Sequence, residues 1–594
     1  MRVCSALLLF AGLLLSLRPA HAEPQPAVPI GSKVENLRFK DIRFLVRSLD
    51  DFGKRKAFVV VFVDAGCPVA SRYLPTLKKL DKDYRAKGVQ FLAVNSSDAT
   101  IQEVAAQAVD HEVEFPFLKD IDGKCANTLG VERTPEVVIL DAERAIRYRG
   151  RIDDQYRPGG SRAQPTRRDL QEALEEVLAG KPVTVSSTPV DGCPITRADK
   201  TDGSKITYTE HIASVVHKNC AVCHRSGTAA PFSLTTYEEV RKKGRAIAEV
   251  VADGQMPPWY ADPAHDGIFN NQRKLTAAER DSIIRWVKGS MERGDESKMP
   301  KLEPYPEPRK DGWLIGEPDL ILETAVHDLP AEGLIDYKNV VLPHAFLHET
   351  WIQAIQILPD NPRVVHHCNM VFGSIGHGIR EANFVTGYVP GNETSQLGEG
   401  VAFRLPPVSA LGLQIHYVTT GKPEKCRIKV GLRFARGTVH KQVRFVLMDS
   451  TRFAIPAQSP HHPIHLTQPL EYDAVGVAIF AHMHLRGKAM VFRARPPEGE
   501  PQTLLTIPNY NFGWQLSYLY EPGKLKLPKG TRLECEAIFD NSPFNPYNPD
   551  PDAVVHYGRQ TRQEMINGFF FYVDEHEDLK LEIDPKTGRA RRGD

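Results

Sequence analysis

Few features of this chain are extreme. Its 74 Asp and Glu are balanced by 75 Lys and Arg over 594 residues, so charge calls for neither nucleic acid nor an anionic membrane as partner. Nine cysteines are far too few for a disulfide scaffold. Past the N-terminus no apolar run is long enough to span a bilayer, and there is no short internal repeat or long low-complexity tract. What remains, 41% hydrophobic and 25% charged residues, is an ordinary globular balance. The length exceeds one hydrophobic core and implies three or four domains.

The N-terminus supplies the first positive signal. Met1-Arg2 precede an apolar run from Ala6 to Leu17 and then Ala20-His21-Ala22. A basic start, a short apolar stretch and a small-x-small site predict a signal peptide over 1–22, with an uncleaved anchor as the alternative. The expected mature chain is periplasmic or secreted, has no membrane span and keeps eight cysteines.

Pattern and composition predict a multidomain α/β + α + β chain. Residues 29–180 alternate strands and helices: the buried-strand run Ala57 to Val63, Gly66-Cys67-Pro68, a helix to about Lys87, a strand Val89 to Val94, and Thr134-Pro135 before Val137 to Leu140. That alternation argues an α/β sheet. Residues 181–204 read as a linker, 205–299 as helices broken by Gly and Pro, and 300–315 as a second, proline-rich linker. The β-branched and aromatic runs beyond, such as Leu413 to Val418 and Val475 to Ala481, predict antiparallel sandwiches over 316–446 and 447–580, then a tail over 581–594.

Cys220-Ala221-Val222-Cys223-His224 is the run in which two thiols take up the vinyl groups of one covalent haem c and the next imidazole reaches the iron. A structural disulfide or a zinc half-site are the alternatives, and no second Cys/His pair at zinc spacing lies nearby. Met256, in Gly254-Gln255-Met256-Pro257-Pro258-Trp259, is the candidate sixth ligand; His265, Met291 or an open position are alternatives. The segment resembles a small cytochrome c, in which a Met on a proline-bearing loop is the distal ligand. A His/Met pair favours electron transfer.

Histidines stand out in the last third: His366-His367, His416 within Leu413 to Tyr417, and His482-Met483-His484. Alternate residues of a strand share a face, so His482 and His484 can share a metal, whereas His366 and His367 converge only where the strand is distorted. Imidazoles suit zinc, copper, iron or nickel, and an added thioether tilts the choice to copper. In order and spacing these runs, with Tyr510 to Gln515, Cys535 to Asn541 and Gly558 to Met565, resemble the ascorbate-dependent type II copper monooxygenases. The resemblance implies two successive β-sandwiches and two coppers: an electron-transfer copper on His366, His367 and His416, and a catalytic copper on His482, His484 and Met565. The disulfides typical of the animal members are not matched, with only Cys368, Cys426 and Cys535 present here, and substrate does not carry over.

The front end resembles the redoxin branch of the thioredoxin fold, which implies Cys67 at a helix N-terminus facing a cis Pro135. Ala70 removes a Cys-x-x-Cys dithiol, and Val60 and Asp64 break the peroxiredoxin pattern. Cys67 is left to pair with Cys125 or Cys193, or to stand alone. The expectation is an oxidoreductase that hydroxylates a C–H bond of an unidentified small molecule or peptide with O2, fed by a periplasmic electron donor through the haem. The alternative is an electron-transfer or redox-sensing protein without monooxygenase turnover, and a third, thiol chemistry at Cys67.

Overall fold

The structure, a computed structural model, describes residues 28–591 apart from 158–159, 196–204, 227, 229, 231, 306–310, 334, 376–382 and 390–393. The expected signal peptide at 1–22 lies outside the described residues.

The front region is built from β1 (Arg38–Asp41), β2 (Val46–Ser48), β3 (Ala57–Phe62), α1 (Pro68–Arg85), β4 (Val89–Asn95), α2 (Ile101–Asp110), β5 (Phe117–Asp120), α3 (Lys124–Leu129), β6 (Arg133–Thr134), β7 (Glu136–Asp141), β8 (Ile146–Gly150) and α4 (Asp169–Leu178). Seven strands form one sheet in the order β2-β1-β5-β4-β3-β7-β8. β3 runs parallel to β4 and antiparallel to β7, a thioredoxin-like arrangement. β3 is apolar throughout because both its faces are covered: Val59 and Val61 join the core under α1 and α4, while Phe58, Val60 and Phe62 join the opposite layer with α3. A Thr100/Glu103 capping box starts α2, satisfying first-turn N–H groups.

Residues 208–221 are helical with wide turns at Tyr208–Ile212 and His217–Ala221. Helices Tyr237–Ala252 and Ala277–Lys288, each opened by a Thr/Glu capping box, pack on them around Trp286 and Ile247. The 205–299 segment is not self-contained, however. Trp259, Tyr260 and Phe269 leave the helices and join the core of the last β region. Apolar bulk on a loop needs a partner surface, and this one is some 250 residues downstream in sequence, where Phe269 bridges to Tyr520.

The remainder is β-rich, with several sheets. The path of one ten-stranded sheet runs Leu320–Glu323, Ile428–Phe434, Thr350–Pro359, Val401–Leu405, Lys441–Asp449, Ile566–Asp574, Ala474–Met483 and Ser517–Leu519. A four-stranded sheet containing Val365–Ser374 and Ser409–Tyr417 shares a buried core with its first half. A second, containing Gly487–Arg495 and Arg532–Phe539, shares one with its second half. The expected division at 446/447 falls inside the Lys441–Asp449 strand, whose parallel pairing with Val401–Leu405 joins the halves. The expected linkers and tail are also partly built in. Trp313 and Ile315 are 3% and 1% exposed, and Leu581–Glu582 pairs with Thr438–Val439. Arg149 N–H donates to Ser186, and Cys193–Pro194 pairs with β6. Proline and charge signalled loops at these places, while single buried side chains and short pairings anchor them.

Candidate functional site

His366, His367 and His416 converge. His367 lies directly opposite His416 on the neighbouring strand, and the register shifts between Val365 and His367. That bulge is the local distortion which the adjacent pair needs, and the candidate ligand atoms of all three lie within 4.8 Å of one another. His367 and His416 are buried and His366 half-buried. Burial pushes His416 down to about 4, with the neighbouring His366 adding to it. Burial, then the surrounding histidines, lowers His367. The rings are therefore neutral at pH 7, the form that binds metal.

His482 and His484 sit at the end of the Ala474–Met483 strand with ring centroids 5.1 Å apart. Each has its outer nitrogen engaged: His482 Nδ1 with Gln515 Oε1 at 2.6 Å, and His484 Nδ1 with the Gln563 carbonyl at 3.1 Å. In that tautomer Nδ1–H donates and the Nε2 lone pair is left facing inwards, the usual preparation of a ligating histidine. His484 Nε2 is buried with no partner, as is His416 Nδ1. Likewise His367 Nε2 lies 2.8 Å from Tyr337 Oη, leaving its Nδ1 3.3 Å from His366 Nδ1. Orphaned buried nitrogens are costly, and a soft divalent or monovalent metal satisfies them, so both sets fit a copper ion.

Met565 and His482 line the same cavity of about 200 Å³, bounded by Asn369 and Gln414 from one half of the β region and Asp449, Arg559 and Asn567 from the other. The two histidine sets approach closely. Phe512 lies 5.3 Å from His367 and 6.2 Å from His484, centroid to centroid, and Tyr337 lies 5.2 Å from His416 and 6.0 Å from His484.

Sequence reasoning assigned no role to Tyr337, Gln515 or Glu564. Glu564 is fully buried and accepts the backbone N–H groups of His484 at 2.9 Å and Arg486 at 2.7 Å; burial pushes its carboxyl up to about 8 against those bonds. Its place immediately before Met565 was the one available signal.

In the helical region Cys220 and Cys223 are half-exposed and one helical turn apart through the Cys223 N–H to Cys220 carbonyl bond. His224 Nδ1 lies 3.2 Å from the Phe232 carbonyl, which again leaves Nε2 as a ligand and fits a covalent haem. Met256 is half-buried beyond the Tyr237–Ala252 helix, ahead of a cis peptide to Pro257. Of the alternatives, His265 is engaged elsewhere: its Nε2 accepts the Thr506 N–H at 2.9 Å. Met291 packs its sulfur on Gly244.

Cys67 is the N-cap of α1, and Thr134-Pro135 is cis. Cys67 is disulfide-bonded to Cys193, with Cα atoms 5.9 Å apart. Cys125 is excluded by the sheet between them, since it lies in the opposite core layer. Cys368, Cys426 and Cys535 are free and buried.

Residues 32–162 match the family model described as Redoxin. The thiol-disulfide oxidoreductase ResA of Bacillus cereus is 22% identical over 176 residues, 30% of this chain and 94% of ResA. ResA of Geobacillus thermodenitrificans is 26% identical over 141 residues, 24% of this chain and 80% of that protein. Among solved structures, a hypothetical protein from Sinorhizobium meliloti 1021 is 30% identical and covers 29% of this chain and 97% of its own, with a TM-score of 0.28. No described helix is long and apolar enough to cross a membrane. The front of this chain, residues 32–162, is thus a redoxin domain with a thioredoxin-like fold.

Proposed function

We propose that the chain is an exported, periplasmic or secreted oxidoreductase that hydroxylates a C–H bond of a small molecule or peptide with O2, using two coppers and electrons fed through one haem c. The observation that carries this reading is the close approach of the two histidine sets, in which His416 Nδ1 and His484 Nε2 are buried without a partner, together with the cavity that His482 and Met565 both line. Copper bound there would supply one-electron transfer and activation of O2. His366, His367 and His416 would hold the copper that receives electrons, and His482, His484 and Met565 the other.

The chain's own residues do the preparatory work. Gln515 and the Gln563 carbonyl fix the tautomers of His482 and His484. Glu564 holds the His484 and Arg486 backbone. Asn369, Gln414 and Asn567 give the cavity uncharged polar groups beside His482, able to orient a substrate against the reacting position. Cys220 and Cys223 would tether the haem, with His224 as proximal and Met256 as sixth ligand.

The test is copper and haem analysis of the full chain, then incorporation of isotopically labelled O2 into a panel of peptides and small molecules supplied with reductant. Label in product, lost in His482→Ala and Met565→Ala while haem reduction persists, is the expected result. Reduction of haem and copper without any labelled product would establish electron transfer alone, and unchanged product in the variants would remove copper at these residues from the reaction.

A further inference from the structure

The Cys67–Cys193 bond joins the redoxin domain to residues read from sequence as linker, which lie along residues 132–134 as a short added strand. Cys193 pairs antiparallel with Thr134 and Pro194 with Arg133. The pairing continues in Ile195 N–H to the Glu132 carbonyl at 2.9 Å, and Arg133 Nη1 donates to the Gly192 carbonyl at 2.7 Å. The approach is so close that a Cβ on Gly192 would stand 2.3 Å from the Thr134 carbonyl oxygen. Only glycine passes there. Cys67 Sγ lies 3.2 Å from that same oxygen, and the Thr134 hydroxyl is buried without a partner. Cys67 is 1% exposed beneath this segment, whereas Cys193 is half-exposed.

We propose that Cys67 and Cys193 form a working dithiol–disulfide centre that oxidises dithiols, with Cys193 as a resolving cysteine delivered by the linker strand in the place an incoming peptide thiol would take. The asymmetry of exposure sets the direction of attack. A donor thiolate attacks Cys193 Sγ, the S–S bond breaks, and Cys67 leaves as a thiolate at the N-terminus of α1, where first-turn N–H groups favour the anion. The donor's second thiol then attacks the mixed disulfide and releases Cys193. Two electrons and two protons pass from the donor dithiol, which becomes a disulfide, to Cys67 and Cys193. Detachment of Cys193 removes the covalent anchor of the segment that leads to the helical region. The centre depends on neither copper nor haem.

The experiment uses the full chain reduced with dithiothreitol, desalted, and treated with 5,5′-dithiobis(2-nitrobenzoate). The peptides containing residues 67 and 193 are then mapped by mass. Wild type is expected to release two thionitrobenzoate ions per pair and to end with the 67–193 disulfide and no adduct, because Cys193 resolves the first adduct on Cys67. Cys193→Ser is expected to release one ion from this pair and keep a stable adduct on Cys67. Gly192→Val, which cannot seat the strand, is expected to slow resolution at least tenfold. A wild-type protein that keeps adducts on either cysteine would overturn the proposal. So would a bond that resists dithiothreitol until the chain is unfolded, since it would then be a structural bond only.

Discussion

Gln515 and His482 are joined by a 2.6 Å contact between Oε1 and Nδ1, both side chains being 3% exposed, and the amide of the same Gln515 lies 3.5 Å from His367 in the other histidine set. One side chain thereby orients a histidine of one set and touches the other. Gln515→Leu leaves Nδ1 of His482 buried and unpaired and frees the ring to rotate, so copper affinity at His482, His484 and Met565 should fall about 10–100-fold. Chelator competition on the full chain measures it. Gln515→Glu, which keeps the acceptor, should recover most of the loss.

Because the bulge at His366 assembles one set and a strand end carries the other, the sets should fill independently. His416→Ala should lower bound copper from two to one per chain, and His482→Ala should do the same. The double variant should bind none, with haem absorbance unchanged throughout. Loss of both coppers in either single variant would mean one coupled site.

The two methionines of the helical region should separate cleanly. Met256→Ala should abolish sulfur–iron ligation, seen in the absorption spectrum, with little change in stability. Met291, which fills the space over Gly244 and packs, half-buried, against the core around Trp286, should instead cost about 1–2 kcal/mol when cut to Ala and leave the haem spectrum intact. Denaturant titration followed at the haem band distinguishes the two.

Lys40 ties the redoxin domain to the helical region through Glu249 at 2.9 Å and Asp253 at 2.5 Å. Burial raises the Asp253 carboxyl despite Lys40, so that group costs stability above its folded value and the cost fades as pH falls towards the unfolded one. Lys40 itself is raised, its two carboxylates outweighing burial. Its contribution is therefore full below the usual lysine value and lost as pH rises through the raised one. Lys40→Met should destabilise the docked chain by about 2 kcal/mol at neutral pH, less than a fully buried pair because Glu249 is exposed. The penalty should shrink at mildly acid pH, because burial raises the Asp253 carboxyl and lets it take up a proton before ordinary carboxylates do. Urea unfolding at the two pH values measures the difference.

Local pattern was enough wherever one element decides the outcome. The apolar run Ala57 to Val63 marked a strand covered on both faces, and the spacing of His482 and His484 marked a shared face. The adjacency of His366 and His367 required a distortion, which a bulge provides. What stayed hidden depends on partners far away in sequence. Cys193 could not be preferred to Cys125 until the sheet was seen to separate Cys125 from Cys67. Nothing in the local sequence around Trp259 and Phe269 points to Tyr518 and Tyr520, which close around them. Gln515 acquires a role only because His482 and His367 meet at it.

The parallel pairing of Val401–Leu405 with Lys441–Asp449 makes one continuous ladder of what would otherwise be two hinged lobes. A hinge lets a gap breathe at little cost, whereas a hydrogen-bonded seam must shear or tear. The spacing between the two histidine sets is therefore a stiff dimension of the molecule, and under the proposed reading a substrate beside Met565 would have to conform to a gauge already set.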